Sequence, residues 1–549
     1  MKKQTFIKGS VILMLSAVVA KALGALFKIP LTNILGGVGM SYFSTAYSLF
    51  MPVYALTVTG LSSAVARMTA QSTALGMYRN AKRVRATALM LFSALGLGGS
   101  LLIVITARPF CIITAGSPEA VPAVALIAPA VFFSCITAVE RGYYEGLSNM
   151  YPTALSQLAE GVIKALAGLY LCNYVIDNSE KVLAYFPVGT DIRLMASTAG
   201  ILGVTLSTVG ATLFFAVMRL FEKSSSDFGG ESHLISRRKI ARELVAFALP
   251  TGVSAVVTNL TSLIDMGTLM GCISEFGIKT QTALTGVTKE ELPRFIYGSF
   301  SGIALTVFNL VPSVTNMLGK GVLPAVTQAW ESKDRDALHQ RITQGLFTTA
   351  VIAVPSAIGM GVLSQEILTF LFPKQTDEVA ICIDALRILM PGMVCLCLSY
   401  PVFSMLQGIG KAGTPLKIMI VGAVIKLAGN IAFIPFVGIN GASLSTSLCY
   451  IAVFTASLRV LYKQTKLRLK PASLLPVIYS GSVCGAFAYI ISDILELKGA
   501  ENITVLLVTI PLSGVIYILT LLYSSGNIAP INCRSATESE KNNKRLSVS

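Results

Sequence analysis

Glu145-Gly146, Pro152 and then Gly161-Val162-Ile163-Lys164-Ala165-Leu166-Ala167-Gly168 return further along the chain as Gln407-Gly408, Pro415 and Ala423-Val424-Ile425-Lys426-Leu427-Ala428-Gly429. Gly146 to Gly408 and Lys164 to Lys426 share one separation, 262 residues. Apolar helices of Ala, Gly, Leu and Val imitate one another easily. A lysine at the centre of such a run is different, because it costs about 2.5–3.5 kcal/mol on insertion scales, so its return at a fixed offset is not an accident of composition. A weaker echo joins Val65 to Gln71 with Leu323 to Gln328. The chain reads as two copies of one unit.

The medium of that unit follows from composition. Of 549 residues 54% are hydrophobic and 13% charged, against about 25% charged in a soluble domain, and the mean hydropathy is +0.71. Apolar stretches long enough to cross a ~30 Å hydrocarbon core as helices recur throughout. They fall near 9–33, 42–66, 86–107, 120–139, 153–176, 194–219, 244–270, 298–318, 343–363, 379–406, 415–437, 440–462, 473–494 and 502–524. An even number of crossings separates the matched elements, so the two copies point the same way through the membrane. Parallel repeats of this kind are related by an axis along the membrane normal, place a substrate site at their interface and rock about it. The expected fold is an all-α polytopic membrane protein of about fourteen transmembrane helices. A six-helix lobe covers 1–220, a cytosolic linker 221–243, a second six-helix lobe 244–463, two further helices 464–524, and a polar, disordered cytosolic tail 525–549.

The net charge of +16 invites a nucleic-acid reading, but the cations gather on alternate loops. Loop 67–85 carries Arg67, Arg79, Lys82, Arg83 and Arg85, and 220–243 carries Lys223, Arg237, Arg238, Lys239 and Arg242. This is the positive-inside bias; it puts both termini in the cytoplasm and leaves no call for nucleic acid. Lys2, Lys3 and Lys8 ahead of an apolar run imitate a signal peptide, yet Ala20-Lys21-Ala22 is a poor cleavage site and the apolar run resumes beyond it, so the segment is expected to stay as the first span. Most of the ten cysteines fall in spans and read as small core residues. Cys395-x-Cys397 lacks ligand spacing, and His233 and His339 lie in inward loops, so no metal is expected. Tyr42, Tyr47, Tyr143, Tyr144 and Tyr151 near span ends read as an interfacial belt. No Walker loop, G-x-S-x-G or H-E-x-x-H motif is present, and the expectation is a transporter, not an enzyme, with no cofactor.

Within spans the ionisable residues are Lys21, Lys28, Glu160, Lys164, Asp265, Asp384, Arg387 and Lys426. Such residues should face a bundle interior or a wet cavity. Lys21 and Lys28 are two turns apart on one face, and snorkelling explains Lys28 better than Lys21. Glu160 and Lys164, spaced i,i+4, suit mutual neutralisation. Lys426 has only Gly422 and Asn430 at such spacings and no local acid, so with Asn430 it is placed on the cavity. Arg387 is either one half of an i,i+3 pair with Asp384 or a further cavity cation. Asp265 stays open between a cation-coupling carboxylate, a partner for a cavity lysine and an interfacial residue. Prolines such as Pro312, Pro391 and Pro401 interrupt several spans and offer bends.

Several ordered patterns resemble the multidrug/oligosaccharidyl-lipid/polysaccharide flippase superfamily, in the branch of stage V sporulation protein B. They are Lys21-Ala22-Leu23-Gly24 through Lys28, Ile34-Leu35-Gly36-Gly37-Val38-Gly39, Arg141-Gly142-Tyr143-Tyr144-Glu145-Gly146, Met150-Tyr151-Pro152-Thr153-Ala154 with Ser156-Gln157, Leu323-Pro324-Ala325, and Leu406-Gln407-Gly408-x-Gly410-Lys411. The resemblance covers residues 4–525. It implies a V-shaped alternating-access carrier in the bacterial cell membrane that flips a polyprenyl-diphosphate glycan, such as the peptidoglycan precursor lipid II, with spore cortex as the setting. Related lipid II flippases present a basic residue at the Lys21 position, usually arginine; lysine keeps the charge but loses the bidentate grip on a diphosphate. The resulting site is Lys21, Lys28, Lys164, Lys426, Asn430 and Arg387, with Glu160 and Asp265 as coupling or charge-balancing acids and sodium, a proton or the membrane potential as the drive. The alternatives are a cation-coupled multidrug exporter dependent on Glu160 or Asp265, and a membrane scaffold docking cell-wall synthesis enzymes through its basic loops.

Overall fold

A computed structural model describes residues 6–187, 190–221, 234–276, 287–411, 413–466 and 474–527, and all its regular structure is helical. The first helices are α1 (Phe6–Tyr54), α2 (Leu61–Ala74), α3 (Tyr78–Pro109), α4 (Val121–Gly146), α5 (Tyr151–Asp177), the short α6 (Ser179–Leu183) and α7 (Ile192–Leu220). They are followed by α8 (Arg237–Phe276), α9 (Leu292–Ser299), α10 (Leu305–Phe308), α11 (Leu310–Glu331), α12 (Arg335–Val362), the short α13 (Ser364–Leu371), α14 (Thr376–Gly408), α15 (Thr414–Val437) and α16 (Ile439–Thr465), and finally by α17 (Leu475–Leu497) and α18 (Asn502–Asn527). Eleven of the described helical stretches are long and apolar enough to cross a membrane, or twelve when Leu292–Phe308 and Leu310–Glu331, bent by 45°, count as one.

Packing sorts these helices into two groups. In the first, α5 packs on α7 and α1, and α4 on α2, α3 and α7; in the second, α14 packs on α11, α12 and α16, and α15 on α8 and α16. The pair α17 and α18 attaches to the second group through α12 and α13. We call the end carrying Arg79, Lys82 and Arg83 the inner end, after the positive-inside bias.

Two of the expected loops are much shorter than the hydropathy windows imply. The 49 residues of α1 would run about 75 Å as one rod, more than twice a hydrocarbon core, and they fold as two segments meeting at Gly36, with φ 65° and ψ −176°. The expected outward loop 34–41 is thus a single left-handed residue, which glycine adopts at no steric cost. The expected inward loop 67–85 likewise shrinks to the few residues between α2 and α3. Of the expected linker 221–243, residues from Arg237 onward are helical; 222–233, including His233, and the tail beyond Asn527 lie outside the described residues, as do Lys2 and Lys3.

The span expected at 298–318 is bent. After α9 the helix widens into a π turn at Phe300–Ala304, resumes as α10, and breaks at Asn309. Pro312 lacks the N–H that would reach the Phe308 carbonyl, and the π turn inserts an extra residue per turn; together they account for the bend. Asn309 donates its side-chain amide to the Leu305 carbonyl at 2.7 Å, which secures the break.

At the inner end of the first group, the buried Glu140 carboxylate on α4 pairs with Arg85 on α3 and, at 2.8 Å, with Arg219 on α7. The Arg85 guanidinium also lies 4.5 Å from the Tyr143 ring centre and 5.5 Å from that of Tyr144. Both tyrosines are buried, so they stack on a cation inside the fold instead of joining an interfacial belt.

Candidate substrate cavity

A cavity of about 400 Å³ opens where α1 and α5 of the first group face α8 and the bent α9 to α11 of the second. Lys21, Lys28, Lys164 and Asp265 all contribute to its wall. The two α1 lysines share the wall because seven residues bring a helix back to one face. Lys21 is exposed to the cavity, whereas Lys28 is half-buried and donates from Nζ to the Ser301 carbonyl at 2.9 Å. Lys164 reaches from α5 and sets its ammonium 5.2 Å from the Phe27 ring centre and 5.9 Å from that of Tyr47. A cation over two ring faces is held without losing its charge, at up to about 2 kcal/mol per contact when desolvated. Tyr47 lines the cavity and so is not part of an interfacial belt either.

Three expectations need correction. Lys426 does not line the cavity: its Nζ pairs with Asp265 Oδ2 at 2.6 Å, each side chain about 3% exposed. Asn430, one turn along α15, is equally buried, donating to Asp265 Oδ1 at 3.2 Å and to Thr268 Oγ1 at 2.7 Å. Of the three readings of Asp265, the geometry selects the lysine partner, and that lysine is the repeat mate of Lys164. Glu160 does not neutralise Lys164. It pairs with Arg141 of α4 at 2.7 Å, while the Arg141 Nε bonds Ser156 Oγ at 2.9 Å. Arg387 forms the i,i+3 pair with Asp384 at 3.3 Å on an exposed face of α14 and is not among the residues of the cavity wall.

Sequence reasoning missed Arg141 because the apolar window ends near residue 139, although α4 continues to Gly146; the absence of a proline between residue 139 and Gly146 was the available signal. Arg141, Glu145, Gln157 and Glu160 line a second cavity of about 370 Å³ within the first group. Ser301 was likewise unreadable, since its carbonyl is presented by a π turn that no residue pattern announces.

The cavity is shut at the outer end by bonds that join the two groups. Gly37 of α1 and Gly298 of α9 touch backbone to backbone, so that a Cβ on Gly298 would overlap the Gly37 carbonyl. The Gly37 N–H donates to Glu378 of α14 at 2.9 Å, and Asn33 donates to the Leu371 carbonyl at 2.8 Å. Arg294 of α9 pairs with Glu119 at 2.7 Å and donates to the Tyr42 hydroxyl at 3.1 Å. Nearer the inner end Arg67 lies 5.0 Å from the Phe247 ring centre. Chemically, this is a polar chamber with a cationic wall, closed by bonds that a relative movement of the groups would break.

The comparisons with known proteins place this architecture. Residues 117–512 match the family described as lipid II flippase MurJ. Stage V sporulation protein B of Bacillus subtilis (strain 168) is 23% identical over 532 residues, 95% of this chain and 96% of that protein. Lipid II flippase MurJ of the same organism is 21% identical over 458 residues, 81% and 80% of the two chains. Among solved structures, one titled lipid II flippase MurJ, inward closed conformation, superposes with a TM-score of 0.62 at 16% identity, over 94% of this chain and 98% of that one. An inward-facing multidrug resistance transporter of the MATE family superposes with a TM-score of 0.64 at 14% identity, over 83% and 98%. The chain is therefore a multi-pass bacterial membrane transporter, not an enzyme, and belongs to the MurJ family of the MOP superfamily.

Proposed function

We propose that this transporter flips a polyprenyl-diphosphate-linked glycan of the lipid II class outward by alternating access, with the diphosphate drawn to Lys21, Lys28 and Lys164 while the prenyl chain stays in lipid. The observation that carries the reading is the charge balance of the cavity. Asp265, the acid on its wall, is committed to Lys426, which lies outside the chamber wall, while Lys21, Lys28 and Lys164 all line it. At ~4 Å and an effective dielectric of ~20, each lysine attracts one phosphate charge by about 4 kcal/mol. A cationic drug would meet the same terms with the opposite sign, and the two acids a cation-coupled exporter would use are both held in ion pairs. The curated relatives named for sporulation and for lipid II flipping fit this cargo and a setting in cortex or wall synthesis.

We further infer fourteen crossings in two lobes, 1–220 and 244–463, with α17 and α18 added. The stretch Val18–Ala74 counts once among the apolar helices yet covers two sequence-derived spans, and α8, at 40 residues, is long enough for another. The membrane potential supplies the direction. Carrying each negative charge outward across an inside-negative potential releases about 2.3 kcal/mol per 100 mV, and Glu160 with Arg141 remains the place where a counter-ion or proton would be exchanged.

The test is native mass spectrometry and a flipping assay on the reconstituted protein with a polyprenyl-diphosphate lipid. Wild type should retain the lipid, and Lys21→Ala should weaken it by roughly tenfold or more, the effect of losing one charge-assisted contact. Undiminished binding and flipping by Lys21→Ala would refute the cationic site.

A further inference from the structure

Lys28 is shared between two structures. It belongs to the cavity wall, and it also closes the seam between the helix groups, because the carbonyl it bonds lies on the opposite side of the chamber, 273 residues away in sequence. The π turn at Phe300–Ala304 explains the acceptor: its wider winding takes backbone carbonyls out of the regular i,i+4 ladder and presents those of Ser301 and Gly302 to α1. Lys28 takes the first, and one turn further on Thr32 Oγ1 donates to the second at 3.3 Å. Ser301 Oγ adds a bond to Ser44 Oγ of α1 at 2.8 Å. This cluster lies immediately on the cavity side of the Gly37 and Gly298 contact, at the outer roof of the chamber.

We propose that Lys28 is an occupancy-sensing latch: in the empty cavity its ammonium holds α1 to the Ser301 carbonyl, and an anionic cargo group takes that ammonium away, loosening the outer seam only when the chamber is loaded. The exchange is favourable because the two acceptors differ in kind. A hydrogen bond from an ammonium to a phosphate oxygen joins two ions, whereas the Ser301 carbonyl is neutral, and ion-to-ion bonds are shorter and stronger. Lys21 lies some two turns toward the inner end and Lys164 is held over the Phe27 and Tyr47 rings of its own group, whereas Lys28 bonds across the groups. Coupling of this kind needs a group whose interaction differs between the empty and loaded states, and Lys28 has that property. The freed Ser301 carbonyl keeps Thr306 Oγ1 at 3.3 Å, so releasing the lysine does not orphan it.

The inference rests on the anionic-cargo reading, and one experiment separates their failures. Hydrogen exchange of residues 292–308 is followed by mass spectrometry in the full-length protein in nanodiscs, with and without a polyprenyl-diphosphate lipid whose binding is measured alongside. In wild type the lipid should speed exchange in this segment by roughly tenfold, the scale of losing one hydrogen bond to a charged group. Lys28→Met should exchange fast without lipid and gain little on adding it, while still binding through Lys21 and Lys164. Lys28→Arg should restore the slow basal rate and the response. Lys21→Met should bind more weakly yet respond fully at saturating lipid. Slow basal exchange and a full lipid response in Lys28→Met would overturn the latch while leaving the cargo reading intact. Absence of lipid binding by wild type would overturn both. If Lys28→Met does not fold, Thr32→Val supplies the test: it should raise the basal rate and keep the response, and a wild-type basal rate would show that these bonds do not hold the seam.

Discussion

The buried pair of Lys426 and Asp265 makes opposite predictions for stability and for binding, and this separates a structural lysine from a cargo ligand. Both side chains are about 3% exposed, with 2.6 Å between Nζ and Oδ2, so removing either partner leaves an uncompensated charge in the fold. Lys426→Met and Asp265→Asn should each destabilise the protein by about 3–5 kcal/mol, whereas the double change Lys426→Met with Asp265→Leu should return close to wild type, as replaced buried pairs often do. The cargo responds differently. Lys426→Met exposes the Asp265 carboxylate to the chamber; at ~8 Å and an effective dielectric of ~20 it repels one phosphate charge by about 2 kcal/mol, some 30-fold in affinity. Asp265→Asn instead leaves the ammonium unbalanced and should tighten binding by a similar factor, and the double variant should bind like wild type. Thermal unfolding in nanodiscs reads the first quantity, and titration with a polyprenyl-diphosphate lipid reads the second. If the double variant stays as weak a binder as Lys426→Met, then Lys426 itself touches cargo and the charge-balance argument fails.

Other substitutions probe the outer closure and the corrected pairs. Gly298→Ala places a methyl where the Gly37 carbonyl sits, so it should hold the outer end apart, seen as labelling of Asn33 and Gln375 substituted by cysteine; unchanged protection would show that the two backbones do not seal there. Arg387→Ala should leave flipping unaltered and change stability by under about 0.5 kcal/mol, because its pair with Asp384 is exposed; a loss of cargo binding would return Arg387 to the site. Glu160→Gln strands the Arg141 guanidinium, so unfolding should become easier by about 1–3 kcal/mol; if this pair exchanges the counter-ion, the wild type's dependence of flipping on the proton or sodium gradient is lost in the variant, and if the membrane potential acts alone neither protein shows such a dependence.

Most of the membrane-crossing helices and the three wall lysines were legible because each is written along one chain segment. Hydropathy marks a helix long enough to cross, and seven-residue spacing puts Lys21 and Lys28 on one face. What was not legible lies between segments. Spacing could propose Lys164 as the partner of Glu160, one turn away, but could not show that Arg141 arrives from α4 at 2.7 Å. Lys426 looked unpaired for the same reason: its acid is 161 residues distant on α8. The apolar window also stopped short of Glu140 and Arg141, since a window averages away charges that a fold buries in pairs. The break between the first two spans was legible as a loop at 34–41, but not its reduction to the single residue Gly36.

The repeat explains why the two lysines at one offset end in different roles. Equivalent positions on α5 and α15 deliver an ammonium to the inner wall of each group, but each group meets it with different side chains: Phe27 and Tyr47 in the first, Asp265 in the second. Aromatic faces hold a cation and leave its charge available to the chamber, whereas a carboxylate cancels it. Four cationic side chains on one small cavity would repel one another by several kcal/mol in a low dielectric and would bind a diphosphate too tightly to release it. Neutralising one copy while keeping the other lowers that field, and tying Lys28 to the Ser301 carbonyl reserves part of what remains for the loaded state. A carrier must let go on the far side, so a field moderated in this way suits transport better than one of maximal strength.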